Sequence, residues 1–298
     1  MTMQLLQNNL NISLMLPLDH HSLKHEHQEE LITLADFMGY HGIWVRDIIM
    51  TPTDSTDIGT GYEIMTYLSY LAGITKNIRL GSAVLSTLCR DEIITAKQIA
   101  TIDQLSKGRL DIGFGYGDRG LELNYFGMNQ KEKDKYFHSK IHTIQSILKK
   151  GFIESKGLDK GIVSPPPYQK NIPFWIATKS LKITNNQFEN YLSYFCPLDS
   201  FKKETKPNTN SNQEKGMLFW ISLTDPDLTP IQNYDLQENF PVLRGTSAEI
   251  LKILNEYRKL GLTLGIVNFV GPSDIKQQME RFSEKILPKL KVHNVLTT

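Results

Sequence analysis

The chain has 298 residues, and its 33 Lys+Arg against 32 Asp+Glu leave a formal charge of +1. So balanced a charge excludes the long-range field by which nucleic-acid and membrane-surface binders steer their partners, and points to a small, weakly charged or apolar ligand. A hydrophobic content of 40% excludes a largely disordered chain. Cys89 and Cys196 form no C-x-x-C pair, so neither a disulfide framework nor a Cys-rich zinc site is expected and the compartment reads as reducing. The amino-terminal apolar stretch has no basic residues before it, and no run approaches the ~20 apolar residues of a membrane span, so a cytoplasmic protein with no membrane attachment is expected.

Strand-like and helical segments alternate, a pattern that predicts a parallel sheet with crossover helices. Asn11–Leu18 reads as a buried strand. Gln28–Met38 follows as a helix, on the spacing of Leu31, Leu34, Ala35 and Met38, and stops at Gly39. Gly42–Val45 is a strand, Glu63–Ala72 a helix, Ile78–Leu85 a strand, Glu92–Leu105 a helix, Leu110–Phe114 a strand and Lys133–Lys149 a helix. Three consecutive prolines, Pro165 to Pro167, forbid regular helix and predict an extended excursion before the strand Phe174–Ala177. The polar stretch Asp199–Gly216 reads as a mobile loop, a candidate lid. Met217–Leu223 and Leu264–Phe269 are strands, Ser247–Leu260 is a helix closed by Gly261, and Ser273–Leu290 is a final amphipathic helix. Seven or eight β/α units predict one (β/α)8 barrel, α/β in class, as a single domain over residues 1–298.

The most specific stretch runs from Asp91 to Gly127, where a helix, a turn at Ser106-Lys107-Gly108 and a strand open into Gly113, Gly115 and Gly117, with Tyr116 and Arg119 among them. Glycines there serve either a tight turn or the close approach of backbone N–H groups to an anion or a flat ring. The spacing is not that of a dinucleotide-binding turn, since no helix is expected at the last glycine and the acid some 20 residues on is missing.

The run IDQLSKGRLDIGFGYG, with Glu122 and Phe126-Gly127 downstream, resembles the helix-turn-strand signature of the luciferase-like, flavin-dependent monooxygenases. GIWVRD, LAGITKNIRLGSAV, VSPPPYQKNIPFWIA, RGTSAEILKILNEYRKLGL and QMERFSEKILPKL resemble further segments of that family in the same order, with the poorest agreement, a shortened or irregular region, at residues 180–240. The resemblance implies a TIM barrel with reduced FMN as co-substrate at its C-terminal mouth, in preference to a deazaflavin, together with O2, a small organic substrate, a reductase that supplies FMNH2, and a homodimer formed through helices around residues 60 to 110. It places Ser82, Ala83 and Val84 beside the flavin at a non-proline cis peptide. Thr178, Lys179 and Ser180 map to the phosphate-side loop, Tyr116 and Arg119 to the glycine-rich turn, and Asp47 to the catalytic acid that ends the second strand.

Three positions depart from that pattern. Ile48 replaces the histidine that follows the acid, Tyr116 replaces a basic residue, and Gly115 replaces a cysteine. The absent histidine and the shortened region between the fifth and seventh strands favour an alternative, a divergent member that binds flavin, or a modified flavin, without turnover. An aldolase or hydrolase barrel would need a Schiff-base lysine or metal cluster that the sequence does not display. His20, His21, His25 and His27 cluster without a carboxylate partner or H-E-x-x-H motif, and read as a solvated helix entrance rather than a metal site. Trp44, Trp175 and Trp220 fall in strands and read as core or pocket lining.

Overall fold

The computed structural model describes residues 9–18, 24–51, 53, 61–117, 120–129, 131–153, 161–178, 190–193, 197–204, 214–229 and 242–291. Its elements in chain order are β1 (Asn11–Met15), α1 (His25–Phe37), β2 (Gly42–Val45), α2 (Ile64–Ile74), β3 (Arg79–Ser86), α3 (Glu92–Leu105), β4 (Leu110–Gly115), α4 (Gly120–Tyr125) and α5 (Lys133–Lys150). There follow β5 (Phe152–Ile153), β6 (Gly161–Ile162), β7 (Phe174–Thr178), β8 (Asn190–Ser193), α6 (Leu198–Glu204), β9 (Glu214–Leu223), β10 (Val242–Gly245), α7 (Ser247–Lys259), β11 (Leu264–Phe269), α8 (Ile275–Lys285) and α9 (Leu287–Leu290). The large sheet runs β10-β9-β11-β1-β2-β3-β4-β7-β8, and β8 pairs again with β9, which makes an eight-stranded parallel α/β barrel with β10 as an addition. The predicted fold class is the one observed.

The chain divides into two compact units, Trp44–Ala177 and Met1–Ile43 with Thr178–Thr298. In the first, β4 pairs in parallel with β3 on one side and β7 on the other. Its two longest amphipathic helices start at residues that take up free backbone N–H groups or stop at residues that break the repeat: Asp91 accepts from Ile93 and Ile94 N–H at 2.9 Å, and Gly151, at φ 76°, ends α5. The signature segment does structural work at the amino ends of these strands. Arg109 donates to the carbonyls of Ala72, Thr75, Ile78 and Ser106 at 2.7–3.1 Å and to Thr75 Oγ1 at 2.8 Å, laying a cation on the C-terminal end of α2. Buried Asp103 accepts from Gln169 N–H and Nε2 at 2.7 and 2.8 Å, which ties the proline-rich excursion to α3.

In the second unit β9 pairs with β11, β10 and β8, and β11 with β1, all in parallel. Phe219 meets Tyr257 of α7 edge-on and Phe269 meets Phe282 of α8, so this sheet buries one face under helices.

Four expectations are corrected here. The stretch read as loop from Asp199 to Gly216 holds part of α6 and the start of β9; its residues 205–213, and any lid built on them, lie outside the described residues. Polar composition hid α6 because one aromatic, Phe201, fully buried against Tyr257, anchors it. The final helix is two, α8 and α9, because Pro288 lacks the N–H and crowds the carbonyl that a continuous helix needs. A short helix, α4, does begin just past Gly117, and β8 and β10, four residues each, were too short for any periodicity to announce. Finally β1 stops at Met15, ahead of the cis Leu16-Pro17 bond.

Candidate active site

The candidate site of the Trp44–Ala177 unit gathers at the carboxyl ends of β2, β3 and β4. β3 is in register with β4 up to Ser82, opposite Ile112, and again from Leu85, opposite Phe114, so two residues, Ala83 and Val84, bulge against one. The Ala83–Val84 peptide is cis, at the place the resemblance indicates. These two are the partly exposed pair of a strand that is otherwise buried from Leu80 onward. β4 accommodates the bulge by having no side chains there: a Cβ on Gly113 would overlap the Ser82 carbonyl, and one on Gly115 would overlap Val84 Cγ2. Gly113 and Gly115 therefore serve close strand approach, while Gly117, at φ 83°, serves the turn that follows β4. The result is a partly exposed apolar ledge formed by Ala83 and Val84, with the Val84 methyls packed against the two glycines.

Ser82 is fully buried, and its hydroxyl both donates to Gly113 O and accepts from Gly113 N–H at 2.9 Å. Its side chain thus locks β3 to β4. Asp47, just past β2, is also engaged: Ser86 N–H donates to it at 2.8 Å, and Arg90 donates through Nε at 3.2 Å and through an Nη at 2.9 Å. Its side chain is only 2% exposed. Arg90 meets Glu63 at 2.9 Å on its other side. Burial alone would lower the affinity of Arg90 for its proton, but the charges and hydrogen bonds of Asp47 and Glu63 raise it above its ordinary value. Burial pushes Glu63 up, yet hydrogen bonds from Thr66 and the Arg90 charge leave it below the usual carboxylate range.

Glu122 of α4 is buried and accepts from Ile49 and Met50 N–H at 3.1 and 3.0 Å, fastening the segment after β2 to the segment after β4. Cys89 lies near both carboxylates, and burial, then the charges of Glu122 and Asp47, push its thiol up to about 11. Lys140 of α5 donates to Arg90 O at 2.5 Å. Tyr116 is stacked on Phe137 at 4.1 Å between ring centroids, with Lys133 over its ring at 5.7 Å and Asp134 at its hydroxyl, so α5 holds it. Burial, followed by Asp134, raises the Tyr116 phenol above its ordinary value.

Of the residues expected from sequence, Asp47, Ser82, Ala83 and Val84 come together on β2 and β3, and Tyr116 stands past the end of β4. Thr178 ends β7 at intermediate exposure, and Arg119, Lys179 and Ser180 lie outside the described residues. Arg90 and Glu63 were missed, because an arginine in front of a helix cap gives no hint of a partner 43 positions earlier in the chain. His25 faces Glu29 at 3.6 Å on α1, and among the described residues no group of three or more His, Cys, Asp or Glu is arranged to hold a metal.

A profile of the luciferase-like monooxygenases matches residues 14–206, more than half of the chain. The oxygenase component of a flavin-dependent trigonelline monooxygenase from Acinetobacter baylyi is 29% identical over 157 residues, 50% of this chain and 42% of that protein. The chain spans less than half the length of the curated relatives it matches. Among solved structures, the oxygenating constituent of 3,6-diketocamphane monooxygenase from Pseudomonas putida, in complex with FMN, shares the fold with a TM-score of 0.71 at 13% identity, covering 96% of this chain and 100% of that one. The coenzyme F420-dependent tetrahydromethanopterin reductase from Methanopyrus kandleri does so with a TM-score of 0.71 at 20% identity, covering 95% and 99%. With the profile over its first two thirds and the barrel fold throughout, this chain belongs to the luciferase-like monooxygenase family.

Proposed function

We propose that the chain is the oxygenase component of a two-component flavin-dependent monooxygenase, which takes reduced FMN from a separate reductase and uses O2 to oxygenate a small organic substrate. The observation that carries this reading is the bulge at Ala83 and Val84, the partly exposed apolar pair of an otherwise buried strand, backed closely by Gly113 and Gly115: an apolar surface of that kind suits the face of a flat ring. The ring of a flavin would lie against Ala83 and Val84. Bound reduced FMN supplies the reactivity toward O2, and the protein's part is to hold the ring and keep water away. Arg119, Thr178, Lys179 and Ser180 would bring donors and charge to the phosphate. Preference for FMN over a deazaflavin is supported by the diketocamphane enzyme, solved with FMN, and by the flavin dependence of the trigonelline enzyme, and the F420-dependent reductase marks the other choice.

Asp47, in this reading, is a positioning residue. Its carboxylate already accepts from Ser86 and Arg90, so it would fix the end of β3 instead of moving a substrate proton. A single domain, a homodimer and a cytoplasmic location complete the proposal; no helix among the described residues is long and apolar enough to cross a membrane.

Anaerobic titration with reduced FMN, followed by admission of O2 and a screen of small substrates, tests the reading. Saturable binding that weakens in Val84→Asp, with product beyond peroxide, is the expected result. Failure of either redox form to bind up to about 1 mM, ~4 kcal/mol of affinity, would remove the flavin site. Binding that yields peroxide alone would establish the second reading, a flavin carrier, which the fully engaged Asp47 favours.

A further inference from the structure

Three hydroxyls stand at the carboxyl end of β3, and two of them are spent within the fold. Ser82 is closed on Gly113 in both directions, and Thr87 Oγ1 donates to Leu85 O at 3.2 Å. Ser86 differs. Its N–H donates to Asp47 at 2.8 Å, but among the described residues nothing pairs with its Oγ, although the residue is only 4% exposed. A buried hydroxyl without a partner is disfavoured against an alanine of nearly the same size, so its presence asks for a partner from outside the chain.

Strand register tells which way that hydroxyl faces. Ser86 is the cross-strand partner of Gly115, and paired residues of adjacent strands project to the same face of a sheet. On that face a Cβ at Gly115 would overlap the Val84 side chain and stand 3.8 Å from Ala177 Cβ, and both of those residues are partly exposed. Ser86 therefore shares a row with the apolar ledge and Ala177. A Cβ on Gly117 would lie 3.7 Å from Ser86 Oγ and 3.8 Å from Leu123 Cδ2, so bare backbone and an apolar side chain border the hydroxyl without satisfying it. The backbone beneath it is fixed, because Asp47 holds Ser86 N–H and is itself held by Arg90.

We propose that Ser86 Oγ is the hydrogen-bonding partner of the polar edge of the flavin ring, an inference that rests on the flavin reading of this site. A flavin ring has one hydrocarbon edge and one edge of carbonyls and ring nitrogens, and an apolar ledge cannot tell the two apart. A single hydroxyl at the end of that ledge can. The group suits both redox states, because reduction turns one ring nitrogen from acceptor into donor and a hydroxyl serves either. Asp47 acts at one remove: by holding Ser86 N–H it sets the place of the hydroxyl, which gives this buried carboxylate a task that needs no contact with substrate.

The test melts the parent chain, Ser86→Ala and Ser86→Thr without flavin, then titrates each with FMN and riboflavin in both redox states, following tryptophan fluorescence and, for the oxidised forms, the flavin absorbance band. Ser86→Ala is expected to melt no lower than the parent, since it removes a buried group that nothing satisfies, yet to bind FMN and riboflavin each about tenfold more weakly. It should also lose the change in band shape that the parent imposes on the oxidised ring, and Ser86→Thr, which keeps the hydroxyl, should recover affinity and band shape together. Parent-like binding by Ser86→Ala overturns the proposal. A loss confined to FMN does so too, because it assigns the hydroxyl to the phosphate. So does a Ser86→Ala chain that melts lower without flavin while Ser86→Thr restores stability but not affinity, which makes the hydroxyl structural. A parent chain that binds neither flavin removes the flavin reading and this inference with it, whereas equal binding by parent and Ser86→Ala removes this inference alone.

Discussion

Asp47 and Arg90 form the kind of buried pair whose members are worth little net stability together and cost much when separated. Asp47→Ala is expected to lose about 3 kcal/mol in urea unfolding, because it leaves a guanidinium whose side chain is 14% exposed with only the half-exposed Glu63 as counter-charge and takes the acceptor from Ser86 N–H. Glu63→Gln, at the half-exposed end of the same arginine, should cost under ~1 kcal/mol. The ledge permits a sharper test. Gly115→Ala drives a methyl into Val84 Cγ2, so Val84→Ala should restore much of the lost stability in the double variant; Gly113→Ala meets the Ser82 carbonyl, a backbone atom that cannot be trimmed, and should find no such rescue. Cys89 adds a pH signature. Its thiol ionises near 9.0 when unfolded and near 11 when folded, so the unfolded chain gives up its proton first. Stability from this group is intact below pH 9 and drains away as pH climbs toward 11, a slope that Cys89→Ala should flatten. At this scale the sequence exposed Asp47, the glycines and the Ala83–Val84 position through motif likeness, but the partners that give them meaning, Arg90 and Glu63, are close only after β2, β3 and α2 have been brought together.

The signature run is legible because it is structural. Ser106-Lys107-Gly108 turns the chain, Arg109 seals α2, and Asp103 holds Gln169, so most positions of the run carry a specific contact or a turn conformation. Asp103→Ala should leave Gln169 N–H without its acceptor inside the fold, cost about 2 kcal/mol, and open the Pro165–Pro173 segment to proteolysis that the parent chain resists. Unaltered cleavage would mean that the lysine and glutamine contacts of α3, Lys97 to Ser164 O and Gln104 to Pro166 O, hold the segment by themselves. Long elements such as α3 and β11 matched their expected bounds because fourteen or six residues of pattern average out local exceptions. α6 did not, since a single aromatic sets its burial and no period can be read from one residue. α9 split from α8 for an equally local reason, the ring of Pro288.

At the scale of the molecule, strand-helix alternation was enough to give the barrel class, because a parallel strand can be reached only through a crossover, and seven or eight crossovers in 298 residues leave few other arrangements. The cofactor was never legible in that way: a barrel hosts many chemistries, and the departures at Ile48, Gly115 and Tyr116 show this chain without three side chains that the resemblance leads one to expect. Linkage offers the decisive whole-molecule measurement. A ligand that binds only the folded chain raises its stability by about 2.7 kcal/mol at a hundred times its Kd, which for a chain of this size is a rise in melting temperature of about 5 °C. Reduced FMN should produce that rise. Riboflavin, which lacks the phosphate, should fall short of it in the parent chain. In a Lys179→Ala, Ser180→Ala double variant the two should become equal, because what separates them is the phosphate those residues are proposed to hold. If the double variant still prefers FMN over riboflavin, the phosphate is bound elsewhere, and Arg119 becomes the next residue to replace.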